Sequence, residues 1–87
     1  MKTIYVVTAP WCAPCKALIQ NVIDPLKQKV ADPDQIRVVD GSRNYSFCRY
    51  HHINRTPTVI FRDGDEWRKM DPIPTMEEMR KWLHDPD

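Results

Sequence analysis

Two cysteines stand where a run of strand-forming residues meets a long amphipathic pattern, and this junction constrains the fold more than any other feature. Residues 3–8 are a near-continuous run of β-branched and aromatic residues, typical of a strand covered on both faces. From Cys12 onward, apolar residues recur with the period of a helix: Leu18, Ile19, Val22, Ile23, Leu26 and Val30. The sequence therefore predicts a buried strand and then a helix that opens with Cys12-x-x-Cys15. Pro25 lies inside this pattern, and we expect it to kink the helix.

The middle of the chain predicts a second strand and a short helix. Residues 36–40 have strand character, so a strand, a helix and a strand follow one another, which implies parallel pairing and a right-handed crossover. A short helix is expected over residues 43–52, with Ser42 as its cap. His51 and His52 are expected to be surface or half-buried residues of that helix.

The last third predicts a hairpin and a final helix. Residues 58–62 have the composition of a third strand. Asp63-Gly64 is typical of a tight turn, which leads into an antiparallel edge strand over residues 65–70. Thr75 and Glu78 form a capping box for the last helix. We expect Trp67 and Trp82 to pack against the sheet.

Length and charge narrow the class of protein. The 87 residues suffice for one domain, expected to span residues 1–87. The 13 basic and 12 acidic residues give a net charge of +1, too little to favour nucleic acid or a membrane surface as partner. No stretch approaches the roughly 20 apolar residues of a membrane span. The apolar run that ends at Val7 is too short for a signal peptide.

The cysteine count points to a reducing compartment. Three cysteines are an odd number, whereas a disulfide-stapled secreted miniprotein normally carries an even set. We therefore expect a cytoplasmic protein, and we separately expect it to be a monomer. In that setting a Cys-x-x-Cys pair is more often catalytic or metal-binding than a permanent bridge. Cys48 alone is expected to be a small buried hydrophobic residue.

The position of the pair suits reversible redox chemistry. Cys12 falls at the first helical turn, where backbone N–H groups have no partner within the helix and stabilise a thiolate. Cys15 lies about one turn later on the same face, so the two sulfur atoms can bond. One thiol can attack a disulfide and the other can resolve the mixed disulfide. Pro14 stiffens the turn without removing a needed donor.

Two segments resemble the thioredoxin family. The hexapeptide WCAPCK, residues 11–16, resembles the W-C-G-P-C-K active site of thioredoxins, with Ala13 in place of glycine. Thr56-Pro57, directly before the third strand, resembles the cis-proline loop of the same superfamily. The resemblance implies an α/β fold of order β-α-β-α-β-β-α, with a four-stranded mixed sheet flanked by helices. The short chain is similar in size to glutaredoxins.

The resemblance also implies roles for the matched positions. Cys12 is then the nucleophile and Cys15 the resolving thiol, with Lys16 supporting the thiolate electrostatically. The implied substrate-binding surface consists of Trp11, Ala13, Pro14, Thr56 and Pro57. The implied activity is that of a protein-disulfide reductase without a bound cofactor or metal. Electrons would come from NADPH through a thioredoxin reductase, and clients would resemble ribonucleotide reductase.

Two departures from the family pattern stand out. Thioredoxins carry a buried aspartate six residues before the nucleophile, and this chain has Val6 there. Glutaredoxins carry a Gly-Gly loop that helps to hold glutathione, and this chain has Met-Asp-Pro-Ile at residues 70–73. The first departure predicts slower proton transfer at Cys15. The second argues against glutathione as the main reductant.

Two alternatives remain open from the sequence. Cys12 and Cys15, together with Cys48 and His51, supply four ligands in two pairs with spacings that zinc sites use. The absence of an aspartate at Val6 also fits an adaptor with a thioredoxin fold that binds partners and turns over poorly.

Overall fold

The computed structural model describes residues 1–85, so residues 86 and 87 of the expected domain lie outside it. A four-stranded mixed sheet forms its centre, with strands β1 (Lys2–Thr8), β2 (Ile36–Asp40), β3 (Thr58–Asp63) and β4 (Glu66–Met70). The strand order is β2-β1-β3-β4. β1 runs parallel to β2 and antiparallel to β3, and β4 is antiparallel to β3. The predicted thioredoxin-like topology is confirmed.

The helix after β1 changes its winding before Pro25. It begins as α1 (Ala13–Leu18), passes through a π-helical segment (Ile19–Ile23) and ends as α2 (Asp24–Lys27). The N–H of Asp24 bonds to the carbonyl of Ile19, five residues back. Pro25 has no N–H to donate, and its ring crowds the carbonyl one turn earlier. The distortion expected at Pro25 thus takes the form of a wider helical turn on its amino-terminal side.

The main core lies between the sheet and the two longer helical segments. Its buried members are Ile4, Val6, Ile23, Leu26, Ile36, Val59, Phe61 and Met79. Each such side chain contributes about 1.5–3 kcal/mol when it is fully buried. Trp82 of α4 (Met76–His84) stacks on Phe61 with ring centroids 4.3 Å apart, as expected for a residue that packs against the sheet.

The opposite face of the sheet carries an aromatic cluster that packs against the short helix α3 (Tyr45–Tyr50). The ring of Phe47 meets Tyr5 of β1 edge-on at 5.1 Å between centroids. The ring of His51, at the carboxyl end of α3, meets Trp67 of β4 edge-on at 4.4 Å. His51 is only 4% exposed, so the expectation of a surface or half-buried histidine is wrong. His52 is exposed, as expected.

The segment between β2 and α3 differs from its prediction. Ser42 does not cap α3. Its N–H and its hydroxyl both donate to the carboxylate of Asp40, at 2.9 and 2.6 Å. These bonds close a 3-10 turn over Gly41–Arg43, and they lower the pKa of Asp40. A nearby carboxylate is a strong local acceptor, so the chain turns before a helix can start. α3 is therefore shorter than the predicted helix over residues 43–52.

The hairpin between β3 and β4 has the expected two-residue loop, shifted by one position. Asp63 pairs with Glu66, so the loop consists of Gly64 and Asp65. Gly64 has a φ of +63°, a backbone conformation that side chains disfavour. Asp63 instead ends β3.

The predicted capping box begins α4. The N–H of Glu78 donates to the hydroxyl of Thr75 at 3.1 Å, and the N–H of Thr75 donates to the carboxylate of Glu78 at 3.0 Å. These bonds satisfy donors that the helix cannot pair internally.

We expect Thr75→Ala to lower the free energy of unfolding by about 1 kcal/mol, because the N–H of Glu78 loses its acceptor. Urea unfolding followed by circular dichroism measures the change. Ser46→Ala, at an exposed site within α3, is the matched control. Equal stability of the two variants would contradict a stabilising role for the cap.

Candidate functional site

The sheet brings two loops together at one edge. Val7, near the carboxyl end of β1, pairs with Thr58, the first residue of β3. The loop that leads to α1 and the loop that leads into β3 therefore meet. Trp11 and Thr56 line the same groove. These residues directly precede Cys12 and Pro57, so the two predicted halves of the site share one surface. The peptide bond between Thr56 and Pro57 is cis.

The cysteine pair sits at the start of α1. Cys12 is the N-cap residue, and its Sγ accepts a hydrogen bond from the backbone N–H of Cys15 at 3.2 Å. The two sulfur atoms lie at disulfide distance, with Cα atoms 5.2 Å apart. A thiolate formed on Cys12 by reduction would keep this donor and the positive end of the helix. The geometry thus supports a negative charge on the Sγ atom of Cys12.

The two sulfurs differ in their access to solvent. Cys12 is 8% exposed and Cys15 is 1% exposed. Both pack with Ala9 in a small apolar cluster. Ala13 and Pro14 are exposed directly beside Cys12. Cys12 is therefore the more exposed of the two residues.

Pro14, Lys16 and Val6 are further positions that the comparison with the thioredoxin sequence pattern singled out. Pro14 occupies the first turn of α1, where a missing N–H costs no internal bond. Lys16 is exposed, and its ammonium group makes no hydrogen bond or ion pair with another of residues 1–85. Val6 is fully buried in the main core. An apolar side chain therefore fills the position at which thioredoxins carry an aspartate.

The groove beside the pair includes Cys48 and two residues that the sequence analysis missed, Tyr45 and Arg49. It encloses about 520 Å³, and α3 contributes Tyr45, Cys48 and Arg49 to its wall. Tyr45 is 73% exposed, and Trp11 across the groove is 77% exposed. Spacings of three and four residues place Tyr45, Cys48 and Arg49 on one face of a helix. That spacing is the signal by which they could have been found.

Cys48 is half-buried rather than fully buried, because it lies at the wall of this groove. Its Sγ lies 3.7 Å from the carbonyl oxygen of Gly41. A Cβ atom at Gly41 would lie 3.3 Å from that sulfur and 3.2 Å from Cγ1 of Val7. The glycine therefore permits the close approach of the 41–48 segment to β1.

The structure does not favour the zinc site that was the alternative prediction. Cys12 and Cys15 are bonded to each other, and the groove lined by Cys48 does not include His51. No group of three or more His, Cys, Asp or Glu side chains within residues 1–85 is arranged to hold a metal ion. The ligand pairs are close in sequence, but α3 directs Cys48 and His51 to different surroundings.

His51 is buried in surroundings that favour its neutral form. Its ring contacts Phe47, Tyr50 and Trp67, and its Nδ1 has no hydrogen-bond partner among residues 1–85. Burial lowers the pKa of His51, and the positive charges of Arg62 and His52 lower it further. The folded state therefore resists protonation of this imidazole.

Comparison with known proteins identifies the family. The sequence model of the Thioredoxin family matches residues 2–85 of this chain. The chain belongs to the thioredoxin family. It is 35% identical over 78 residues to the Arabidopsis thaliana protein "Putative thioredoxin H10", a match that covers 85% of this chain and 47% of that protein. The chain thus spans about half the length of this curated relative.

Solved thioredoxins share the fold. Thioredoxin 1 from Thermosipho africanus superposes with a TM-score of 0.71 at 21% identity, over 93% of this chain and 89% of that one. Thioredoxin-2 of the malaria parasite, a component of its protein secretion machinery, gives a TM-score of 0.79 at 18% identity, over 95% and 81%. The thioredoxin fold and the paired cysteines support thiol-disulfide oxidoreductase chemistry. Within residues 1–85 no helix has the length and apolarity needed to cross a membrane.

We expect iodoacetamide to alkylate Cys12 faster than Cys15 in the reduced protein, because Cys12 is more accessible and accepts the N–H of Cys15. A Cys48→Ala background removes the third thiol. Peptide mass spectrometry after timed quenching gives both rates. Faster labelling of Cys15 would reverse the assignment of the two sulfurs.

We also expect stability to fall as the pH decreases from about 7 to about 5. His51 has a lowered pKa in the folded state, so below the ordinary histidine pKa the unfolded chain binds a proton that the folded chain does not. His51→Phe should reduce this decline, and His84→Gln at an exposed site should retain it. Urea midpoints at both pH values measure the effect. An unchanged decline in His51→Phe would exclude His51 as its source.

Proposed function

We propose that this thioredoxin-family protein reduces protein disulfides through the Cys12–Cys15 dithiol. The observation that carries the proposal is the Cys12 sulfur, which belongs to the more exposed of the two cysteines, accepts the N–H of Cys15 and lies at disulfide distance from the Cys15 sulfur. A metal clamp would need further ligands nearby, and no group of three or more His, Cys, Asp or Glu side chains within residues 1–85 is arranged to supply them.

In the first step the Cys12 thiolate attacks one sulfur of a client disulfide. A bond forms between Cys12 Sγ and that sulfur, the client S–S bond breaks, and the released client thiolate takes up a proton. In the second step Cys15 loses its proton, and its thiolate attacks Cys12 Sγ. The Cys12–Cys15 disulfide forms, and the second client thiolate leaves and is protonated. Two electrons pass from the dithiol to the client.

The proton of Cys15 has no buried carboxylate to receive it at Val6. Cys15 is almost inaccessible to solvent, so a water molecule at the edge of the apolar cluster, or the client thiolate itself, takes the proton. Deprotonation in apolar surroundings is unfavourable. We therefore propose that resolution of the mixed disulfide is slower here than in thioredoxins with that aspartate.

The client segment would bind along the surface of Trp11, Ala13 and Pro14, against the backbone of Thr56. An extended chain next to a cis-proline can pair with backbone groups in the way strands do. We propose an NADPH-dependent thioredoxin reductase as the source of electrons and thiol-dependent enzymes such as ribonucleotide reductase as clients. We further propose that the protein is monomeric and cytoplasmic. The family resemblance supports these assignments.

Insulin reduction tests the proposal. With dithiothreitol as electron source, we expect the wild-type protein to accelerate insulin precipitation, because Cys12 exchanges with the insulin disulfides. Cys12→Ser should fall to the uncatalysed rate. Cys15→Ser should accumulate a mixed disulfide on Cys12, detectable by mass. Cys48→Ser is the matched control and should retain activity.

Two outcomes would contradict the proposal. Activity that survives in Cys12→Ser would remove the nucleophile from the mechanism. A wild-type protein that binds clients without reducing them would favour the adaptor function, which the apolar residue at Val6 originally suggested.

A further inference from the structure

The groove beside the cysteine pair has two exposed aromatic walls. Trp11 stands on the loop before α1, and Tyr45 stands on the first turn of α3. Large aromatic side chains that remain mostly exposed are typical of surfaces that contact a partner. The groove is continuous with the surface at which the proposed function places the client. The inference below rests on that function.

The charges in this groove are all of one sign. Among the described lining residues the charged side chains are Arg49 and Arg55, and no carboxylate lines the groove. Arg55 forms an ion pair with Asp71 at 3.3 Å. Asp40 directly precedes Gly41, which lines the groove. Its carboxylate accepts a hydrogen bond from the Ser42 hydroxyl and forms an ion pair with Arg43 at 3.9 Å.

Arg49 is the cation available for a partner. It is exposed, and its guanidinium makes no hydrogen bond or ion pair with any other side chain within residues 1–85. It follows Cys48 and shares a helix face with Tyr45. An unpaired guanidinium beside an aromatic ring matches a carboxylate on an extended segment, because arginine donates two parallel hydrogen bonds to it.

We propose that Arg49, with Tyr45 beside it, selects client disulfides whose target cysteine lies near an acidic side chain. Arg49 acts on encounter and binding of the client and not on the sulfur chemistry. Its contribution therefore appears in kcat/KM, and salt weakens it because the site is exposed. Client segments with a basic side chain at the same place are repelled by Arg49.

Three disulfide-linked peptides test the inference. The peptides are identical except for the residue next to the target cysteine. That residue is Glu in the first peptide, Gln in the second and Lys in the third. The fully reduced protein is mixed with each peptide in a single turnover, and formation of peptide thiol gives the second-order rate constant, which reports the same encounter and binding as kcat/KM. We expect the Glu peptide to react about threefold to tenfold faster than the Lys peptide at low salt. This ratio should approach one at about 0.5 M salt.

Arg49→Glu should remove or invert the ratio, and Arg49→Gln should bring it close to one. Arg68→Glu is the matched control, since it makes the same change in net charge on β4 and does not line the groove. It should keep the wild-type ratio. Circular dichroism confirms that each variant is folded.

The outcomes separate this inference from the proposed function. If the Gln peptide is reduced but the Glu and Lys peptides react equally, or if Arg49→Glu and Arg49→Gln keep the wild-type ratio, charge selection by Arg49 is wrong and the reductase activity stands. If Arg68→Glu changes the ratio as much as Arg49→Glu does, overall charge and not the groove is responsible. If none of the peptides is reduced, both proposals fail.

Discussion

The pairing of β1 with its two neighbours is the constraint on which the rest of the structure depends. β1 is parallel to β2 and antiparallel to β3, so its carboxyl end lies beside the beginning of β3. The chain leaves β1 towards Cys12 and enters β3 through Pro57. Because Val7 is fixed opposite Thr58 by backbone hydrogen bonds, two segments more than 40 residues apart in the sequence meet at one edge. This register places the groove lined by Trp11 and Thr56 next to the cysteine pair, where the proposed function puts the client.

The first turn of α1 places a backbone donor next to the sulfur of Cys12. N-cap positions usually carry Ser, Thr, Asp or Asn, whose oxygen accepts a backbone N–H. Here the sulfur of Cys12 takes that role. The structural demand of the helix and the chemical demand of a thiolate are met by the same donor. Burial of Cys15 behind Cys12 then fixes the order in which the two sulfurs react in the proposed mechanism.

Local sequence signals predicted those parts of the fold that local interactions determine. The bounds of β2 and the capping box at Thr75 were predictable because a strand pattern and a helix cap are read over a few residues. The redox pair was predictable because its spacing matches one helical turn. The hairpin loop was predictable to within one residue because Gly64 supplies the positive φ.

Long-range contacts determined the rest. His51 is polar and lies in a segment with weak helix propensity, so its local sequence favours the surface. Phe47 and Trp67 bury it, and Trp67 comes from a different strand. Ser42 was misassigned because the carboxylate of Asp40 competes for it. Arg49 acquires its place in the groove only when α3 docks on the sheet.

The short helix α3 lies between the aromatic cluster on the sheet and the groove beside the cysteine pair. It has six residues, too few to be stable in isolation. Phe47 of α3 and His51 at its end pack into the aromatic cluster over Tyr5 and Trp67. Tyr45 and Arg49 of the same helix face the groove. The orientation of the groove wall therefore depends on packing at the opposite side of the helix. In the proposed function, the aromatic cluster therefore bears on client binding through the position of α3, whereas the sulfur atoms lie at the start of a different helix, α1.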